Sequence, residues 1–164
     1  MPKTIYSITI AVEDLEEAVK NYESFLGVKP TYSPGYEVLF TECGLKEIGV
    51  DYKDQIAVFH LPGIRFILLT GFDKETPIGR FIRWKGEGVF MISMEVNSLK
   101  AEEKSLQAKG KRFVFTDNLE THLGTVNMIH PKDMNGVLFE LIQTPKNMMK
   151  SNKKQWRGEG KNGE

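Results

Sequence analysis

Residues 5–12 alternate, with Tyr6, Ile8, Ile10 and Val12 on an apolar face and Ile5, Ser7, Thr9 and Ala11 on a mixed one. A period of two predicts a strand with one side on a core. The spacing then turns helical at Leu15, Ala18, Val19, Tyr22, Phe25 and Leu26. Asp14 precedes this run with Glu17 three residues on, a helix-start pattern, and Gly27 suits a C-terminal cap. Lys29-Pro30 opens a loop, and Ser33-Pro34-Gly35 is a turn signal. Tyr36–Cys43, Gln55–Leu61 and Ile64–Thr70 read as strands, the last two joined around Pro62-Gly63. The first half is therefore predicted to be β-α-β-β-β.

Residues 71–88 link it to a second half, with a short helix predicted from Pro77 to Trp84, because proline is accepted in a first helical turn. Val89–Val96 alternates again, with Phe90, Ile92, Met94 and Val96 on one face. Leu99–Lys109 is predicted helical and ended by Gly110, and Arg112–Thr116, Thr125–His130 and Val137–Gln143 complete the strands. The halves are diverged copies. Ile8–Leu15 recurs as Ile92–Leu99 at an offset of 84, and Gly63–Leu69 recurs as Gly136–Ile142 at an offset of 73. Two copies are too few for a solenoid. They predict two half-domains about a pseudo-twofold axis, with the site on that axis.

Composition changes this picture little. A chain of 164 residues suits one domain with a real core. Lys+Arg and Asp+Glu both number 22, so no net charge draws the chain to nucleic acid or an anionic membrane, and neither is expected as a partner. The single cysteine, Cys43, excludes an internal disulfide, fits a reducing compartment and reads as a buried thiol. The start, Met-Pro-Lys-Thr-Ile-Tyr, lacks the apolar core of a signal peptide, and Phe66–Leu69 is far too short to span a bilayer. A cytoplasmic location follows as the expectation. Residues 146–164 are glycine- and lysine-rich and are predicted to be a flexible basic tail.

The segments Ile10–Ala18, Thr76–Ile82, Gly86–Val89 and His130–Gln143 resemble, in that order, motifs of the vicinal oxygen chelate superfamily, the glyoxalase and bleomycin-resistance fold. Within it the likeness is to the methylmalonyl-CoA epimerase family. The resemblance implies an α+β fold of two tandem βαβββ modules forming a cupped mixed sheet. One domain would span 1–145, with half-modules at about 4–71 and 89–144 and a linker at 72–88. It also implies a homodimer and a small-molecule ligand such as an acyl-CoA.

The family's divalent metal is held by one residue from the first strand and one from the last strand of each half. The matching positions are Ser7, Ile67, Met91 and Glu140, where the family usually has His, Gln or Glu, His and Glu. Only Glu140 is kept. A catalytic divalent site takes about three protein ligands, and a thioether is a soft one, so no metal and no other cofactor is expected.

Alternation predicts a concave face carrying Ser7, Thr9, Arg65, Ile67, Met91, Ser93, Asn127 and Glu140 as ligand-facing residues. Glu140 lies between Phe139 and Leu141, and desolvation there raises a carboxyl pKa unless Arg65 pairs with it or Ser7 bonds to it. It reads as a proton acceptor or ligand anchor, or as a leftover ligand. Arg65 reads as a bidentate anion binder or as a strand-end arginine facing solvent. By resemblance, Glu42 and Glu47 are candidates for an acid/base on the first half, and His122 for the rim of the second. His60 and His130 read as structural residues at strand ends. Three functions follow: a metal-independent isomerase or lyase acting by proton transfer on an acyl-thioester or carboxylate, a non-catalytic small-molecule binder of the bleomycin-resistance type, or a partner subunit whose cup is vestigial and whose sheet edges make an oligomer.

Overall fold

The opening alternation forms β1, Thr4–Ala11, in a computed structural model that describes residues 3–32, 56–71, 74, 77–121 and 123–145. Helix α1, Leu15–Leu26, starts where the Asp14 carboxylate accepts the Glu17 backbone N–H at 2.9 Å. It ends at Gly27, whose left-handed φ of 69° lets its N–H reach the Glu23 carbonyl. The short strand β2, Thr31–Tyr32, precedes the hairpin of β3, Ile56–Leu61, and β4, Ile64–Leu69. Helix α2, Pro77–Lys85, leads into β5, Gly88–Glu95, and α3, Leu99–Ala108. Strands β6, Leu119–Thr121, β7, Gly124–Ile129, and β8, Leu138–Gln143, complete the fold. The predicted strand at Tyr36–Cys43 and the predicted tail at 146–164 lie outside the described residues.

The eight strands make one mixed sheet in the order β2-β3-β4-β1-β5-β8-β7-β6. Each half pairs its first strand with its last in parallel, β1 with β4 and β5 with β8, and the halves join through antiparallel β1 and β5. The register reproduces the repeat. Ile8 faces Ile92, its own copy at the offset of 84, so the pseudo-twofold axis passes through that pair. Thr9↔Ile67 in the first half matches Ser93↔Glu140 in the second.

Helices α1 and α3 cover one face of the sheet. Val19 and Leu15 pack on Ala57, Phe59 and Leu68, and Leu99 packs with Val96, Ile129 and Leu141. The other, inner face gathers Val58, Ile67, Met91, Val126, Met128 and Ile142. Helix α2 closes one end of it with Ile78, while Phe81 meets Phe90 edge to face at 5.3 Å.

Two sequence expectations change here. The mixed face of β1 is the more buried one: Ser7, Thr9 and Ala11 are buried, while Ile8 and Ile10 are half-buried. Both faces of the sheet are covered, so polarity does not mark the solvent side. The strand predicted at Arg112–Thr116 does not form beyond a single bridge, Phe113↔Ile129. The Val114 N–H still donates to the Met128 carbonyl at 2.8 Å, but the flanking donors go to side chains. Asp133 takes the Arg112 backbone N–H at 2.7 Å and its guanidinium, and Asn127 takes the Phe115 N–H.

Candidate active site

Inter-strand register sets the site. Ser7 pairs with Arg65 on β4 and with Ser93 on β5, and Ser93 pairs with Glu140 on β8. Residues paired in this way share a face, so Arg65, Ser7, Ser93 and Glu140 form one polar row across four strands. His60 extends it beyond Arg65, and Met128 ends it beyond Glu140. The neighbouring row is Ile67, Thr9, Met91 and Leu138. Seven of the ligand-facing residues expected from alternation therefore lie together on the inner face: Ser7, Thr9, Arg65, Ile67, Met91, Ser93 and Glu140.

Glu140 is 4% exposed. Its Oε1 accepts the Ser93 hydroxyl at 2.7 Å, so its partner is neither Arg65 nor Ser7. Arg65 is three strand spacings away, roughly 14 Å along the sheet. Burial pushes the Glu140 carboxyl up to about 7, with the Ser93 bond working weakly against it. Its other oxygen, Oε2, is buried with no partner among the described residues, as are Ser7 Oγ and Thr9 Oγ1. Buried polar atoms in native proteins are normally bonded, so three open oxygens, two on β1 and one on β8, ask for an explanation.

Asn127 is a correction. It pairs with Leu141 and therefore points to the helix face, because its neighbour Met128 is the residue opposite Glu140. There its Nδ2 donates to Glu103 Oε1 on α3 at 2.7 Å and to Asn118 Oδ1 at 2.9 Å. Its Oδ1 accepts the Met128 N–H at 2.8 Å. It is a fully engaged structural residue and does not reach the inner face. The histidines keep structural contacts: His60 Nε2 lies 2.9 Å from Thr31 Oγ1, and His130 Nδ1 accepts the Lys132 N–H. Glu42, Glu47, Cys43 and His122 lie outside the described residues.

Tyr6 was missed by periodicity. Between Ile5↔Met94 and Ser7↔Ser93 the register shifts, so Tyr6 is an extra residue in β1. A β-bulge re-aims a side chain, and this one moves Tyr6 from the helix face into the inner cluster. The Arg65 guanidinium lies over its ring, Cζ 4.3 Å from the centroid. Burial raises the phenol above its usual value, Arg65 opposes this, and Glu95 and Glu140 add to it. A bulge depends on the partner strand, and nothing in residues 4–11 alone signals it.

At the centre of the inner face stand one carboxyl, hydroxyls, the Met91 thioether and the Ile67 hydrocarbon. Among the described residues no group of three His, Cys, Asp or Glu converges. A cavity of about 440 Å³ lies off the ends of β1 and β4, lined by Glu13, Thr70, Lys74, Ile82 and Arg83. It is six residues along the chain from Ser7, so it is separate from the polar row.

With this geometry in place, the comparison with known families is decisive for ancestry. Residues 4–141 match the family model described as Glyoxalase/Bleomycin resistance protein/Dioxygenase superfamily. The chain belongs to that superfamily. It is 29% identical over 139 residues to the ethylmalonyl-CoA/methylmalonyl-CoA epimerase of Cereibacter sphaeroides, covering 83% of this chain and 94% of the relative. Against the mitochondrial methylmalonyl-CoA epimerase of Homo sapiens it is 30% identical over 138 residues, 83% of this chain and 71% of the relative. The crystal structure of methylmalonyl-CoA epimerase from Mycobacterium tuberculosis superposes with a TM-score of 0.66 at 25% identity, covering 90% and 91% of the two chains. The α+β glyoxalase fold inferred from the motifs is the fold found. Among the described residues no helix is long and apolar enough to cross a membrane.

Proposed function

We propose that this protein is an epimerase-type isomerase that moves the proton next to the carbonyl of a small acyl-CoA thioester, with Glu140 as the proton-transferring group and without a divalent metal. One observation carries the reading: a buried carboxyl near neutral pKa, with one oxygen held by Ser93 and the other open. A general acid–base group works best when its pKa lies near the operating pH. In this scheme Glu140 Oε2 takes the α-proton from one face of the α-carbon, and reprotonation on the other face completes the inversion. Ser93 fixes the carboxyl's orientation. The Ser7 and Thr9 hydroxyls donate to the thioester oxygen as it gains charge. Each positioned donor of this kind contributes on the order of 3 kcal/mol to an enolate-like transition state, which is the stabilisation a cation supplies elsewhere. A second carboxylate, Glu42 or Glu47, would serve the opposite face of the α-carbon. The similarity to proteins named for malonyl-type CoA epimerases supports the substrate class.

The test is exchange of the α-proton of methylmalonyl-CoA in deuterium oxide, followed by NMR with EDTA present. Exchange that persists in EDTA agrees with the proposal. Exchange that appears only after adding Co²⁺ or Mn²⁺ overturns the metal-independent mechanism. Tight binding without any exchange leaves the binder reading, which the apolar lining by Ile67, Met91, Met128 and Leu138 favours. A homodimer is the assembly proposed. Light scattering at twice 18.7 kDa is the expected result, and a monomer at micromolar concentration defeats it.

A further inference from the structure

A regular β1 would send Tyr6 and Ser7 to opposite faces of the sheet. The register shift between Ile5 and Ser7 instead leaves Tyr6 in the inner cluster, beside Ser7 on the same face. Tyr6 is 7% exposed, and its ring lies under the Arg65 guanidinium, with Cζ 4.3 Å from the centroid. A positive charge is therefore held against the ring, whatever the guanidinium N–H groups themselves bond to. A cation over the face of a phenol draws density from its oxygen and strengthens the O–H as a donor. A phenol is already a better donor than the alcohols of Ser7 and Thr9.

We infer that Tyr6 is a further catalytic residue, whose phenol donates a hydrogen bond to the thioester oxygen as the enolate forms, with Arg65 supplying positive charge through the ring. The inference rests on the acyl-thioester reading above. Glu140 takes the α-proton, the electron pair of the broken C–H bond passes to the thioester oxygen, and the Tyr6 O–H bonds more strongly to that oxygen as it gains charge. No proton leaves the phenol.

The test uses acetoacetyl-CoA, a thioester whose enolate forms readily and absorbs in the near ultraviolet, so enolate stabilisation is read without turnover. Bound to the wild type at neutral pH, it should show the enolate band. Tyr6→Phe keeps the ring and the contact with Arg65 and removes only the hydroxyl. The variant should bind acetoacetyl-CoA within about threefold of the wild type, the scale of one neutral hydrogen bond. Its bound enolate fraction should fall by about tenfold or more, since the lost donor acts on the charged form. In α-proton exchange of methylmalonyl-CoA, kcat should fall by roughly a hundredfold, the loss for one oxyanion donor, with KM little changed. No enolate band in the wild type, or an undiminished band or exchange rate in Tyr6→Phe, overturns the inference. Loss of acetoacetyl-CoA binding in the variant also overturns it, because the hydroxyl is then structural. A Tyr6-dependent band without any α-proton exchange in the wild type leaves the donor standing and sinks the isomerase. Exchange that is indifferent to Tyr6→Phe sinks the donor alone.

Discussion

The two faces of the sheet treat buried polarity in opposite ways. On the helix face Asn127 is buried and its amide is engaged on both sides, by Glu103, Asn118 and the backbone of Phe115 and Met128. On the inner face Ser7, Thr9 and one oxygen of Glu140 are buried to a similar degree, with no partner among the described residues. A closed network ties α3 to the sheet and specifies one packing. An open set costs stability and is retained where a ligand completes it. Burial alone does not separate a structural polar residue from a functional one.

The sharpest way to break this contrast is Glu140→Gln. Loss of a proton-transfer group should lower α-proton exchange by on the order of a thousandfold, with methylmalonyl-CoA binding retained. A variant that keeps a tenth of the rate or more would remove Glu140 from the chemistry.

The next effect is on stability against pH. The folded carboxyl lies at about 7 and its ordinary value is 4.5. The folded state therefore holds a proton that the unfolded state releases between these values. The resulting stability is fully present below pH 4.5 and is lost as pH rises through 7, about 3 kcal/mol in all. Urea melts of the wild type should show this decline relative to Glu140→Gln, which mimics the protonated form. Parallel curves from pH 4 to 8 would mean that the carboxyl is solvated.

On the other face, Asn127→Ala should lower stability by about 2–3 kcal/mol, since it leaves the N–H groups of Phe115 and Met128 without their acceptor and removes a contact to Glu103. Exchange of the α-proton of methylmalonyl-CoA should not move, and a change in it would return Asn127 to the site. The smallest effect belongs to Thr9→Val. Removing an unbonded hydroxyl at nearly constant volume should leave stability within about 1 kcal/mol, neutral or improved, while weakening ligand binding severalfold. A large loss of stability in this variant would mean that the hydroxyl already has a partner.

Much of the candidate site was legible in the chain. The repeat pairs Ser7 with Met91 and Ile67 with Glu140, and strict alternation carries Thr9, Arg65 and Ser93 onto the same face. Asn127 was misplaced because β7 offers two alternations and the more polar one looked like the site. In a sheet covered on both sides polarity does not choose the face, and pairing of Met128 with Glu140 does. The third strand of the second half shrinks to a single bridge because Asp133 and Asn127 capture the N–H groups of Arg112 and Phe115 on either side of it.

What the sequence determined by itself is local and periodic. Asp14 and Gly27 bound α1, the alternations make the central strands, and the two offsets of the repeat set a pseudo-twofold pair of modules. These follow from capping, pleat and self-similarity, which need no knowledge of a partner strand. Tertiary structure alone decided the rest: that Ser93 holds Glu140, that Asn127 belongs to α3, and that a bulge turns Tyr6 under Arg65. Each depends on register between strands far apart in the chain. One inserted residue in such a register reverses which face a side chain sees, and no periodicity within a single strand carries that information.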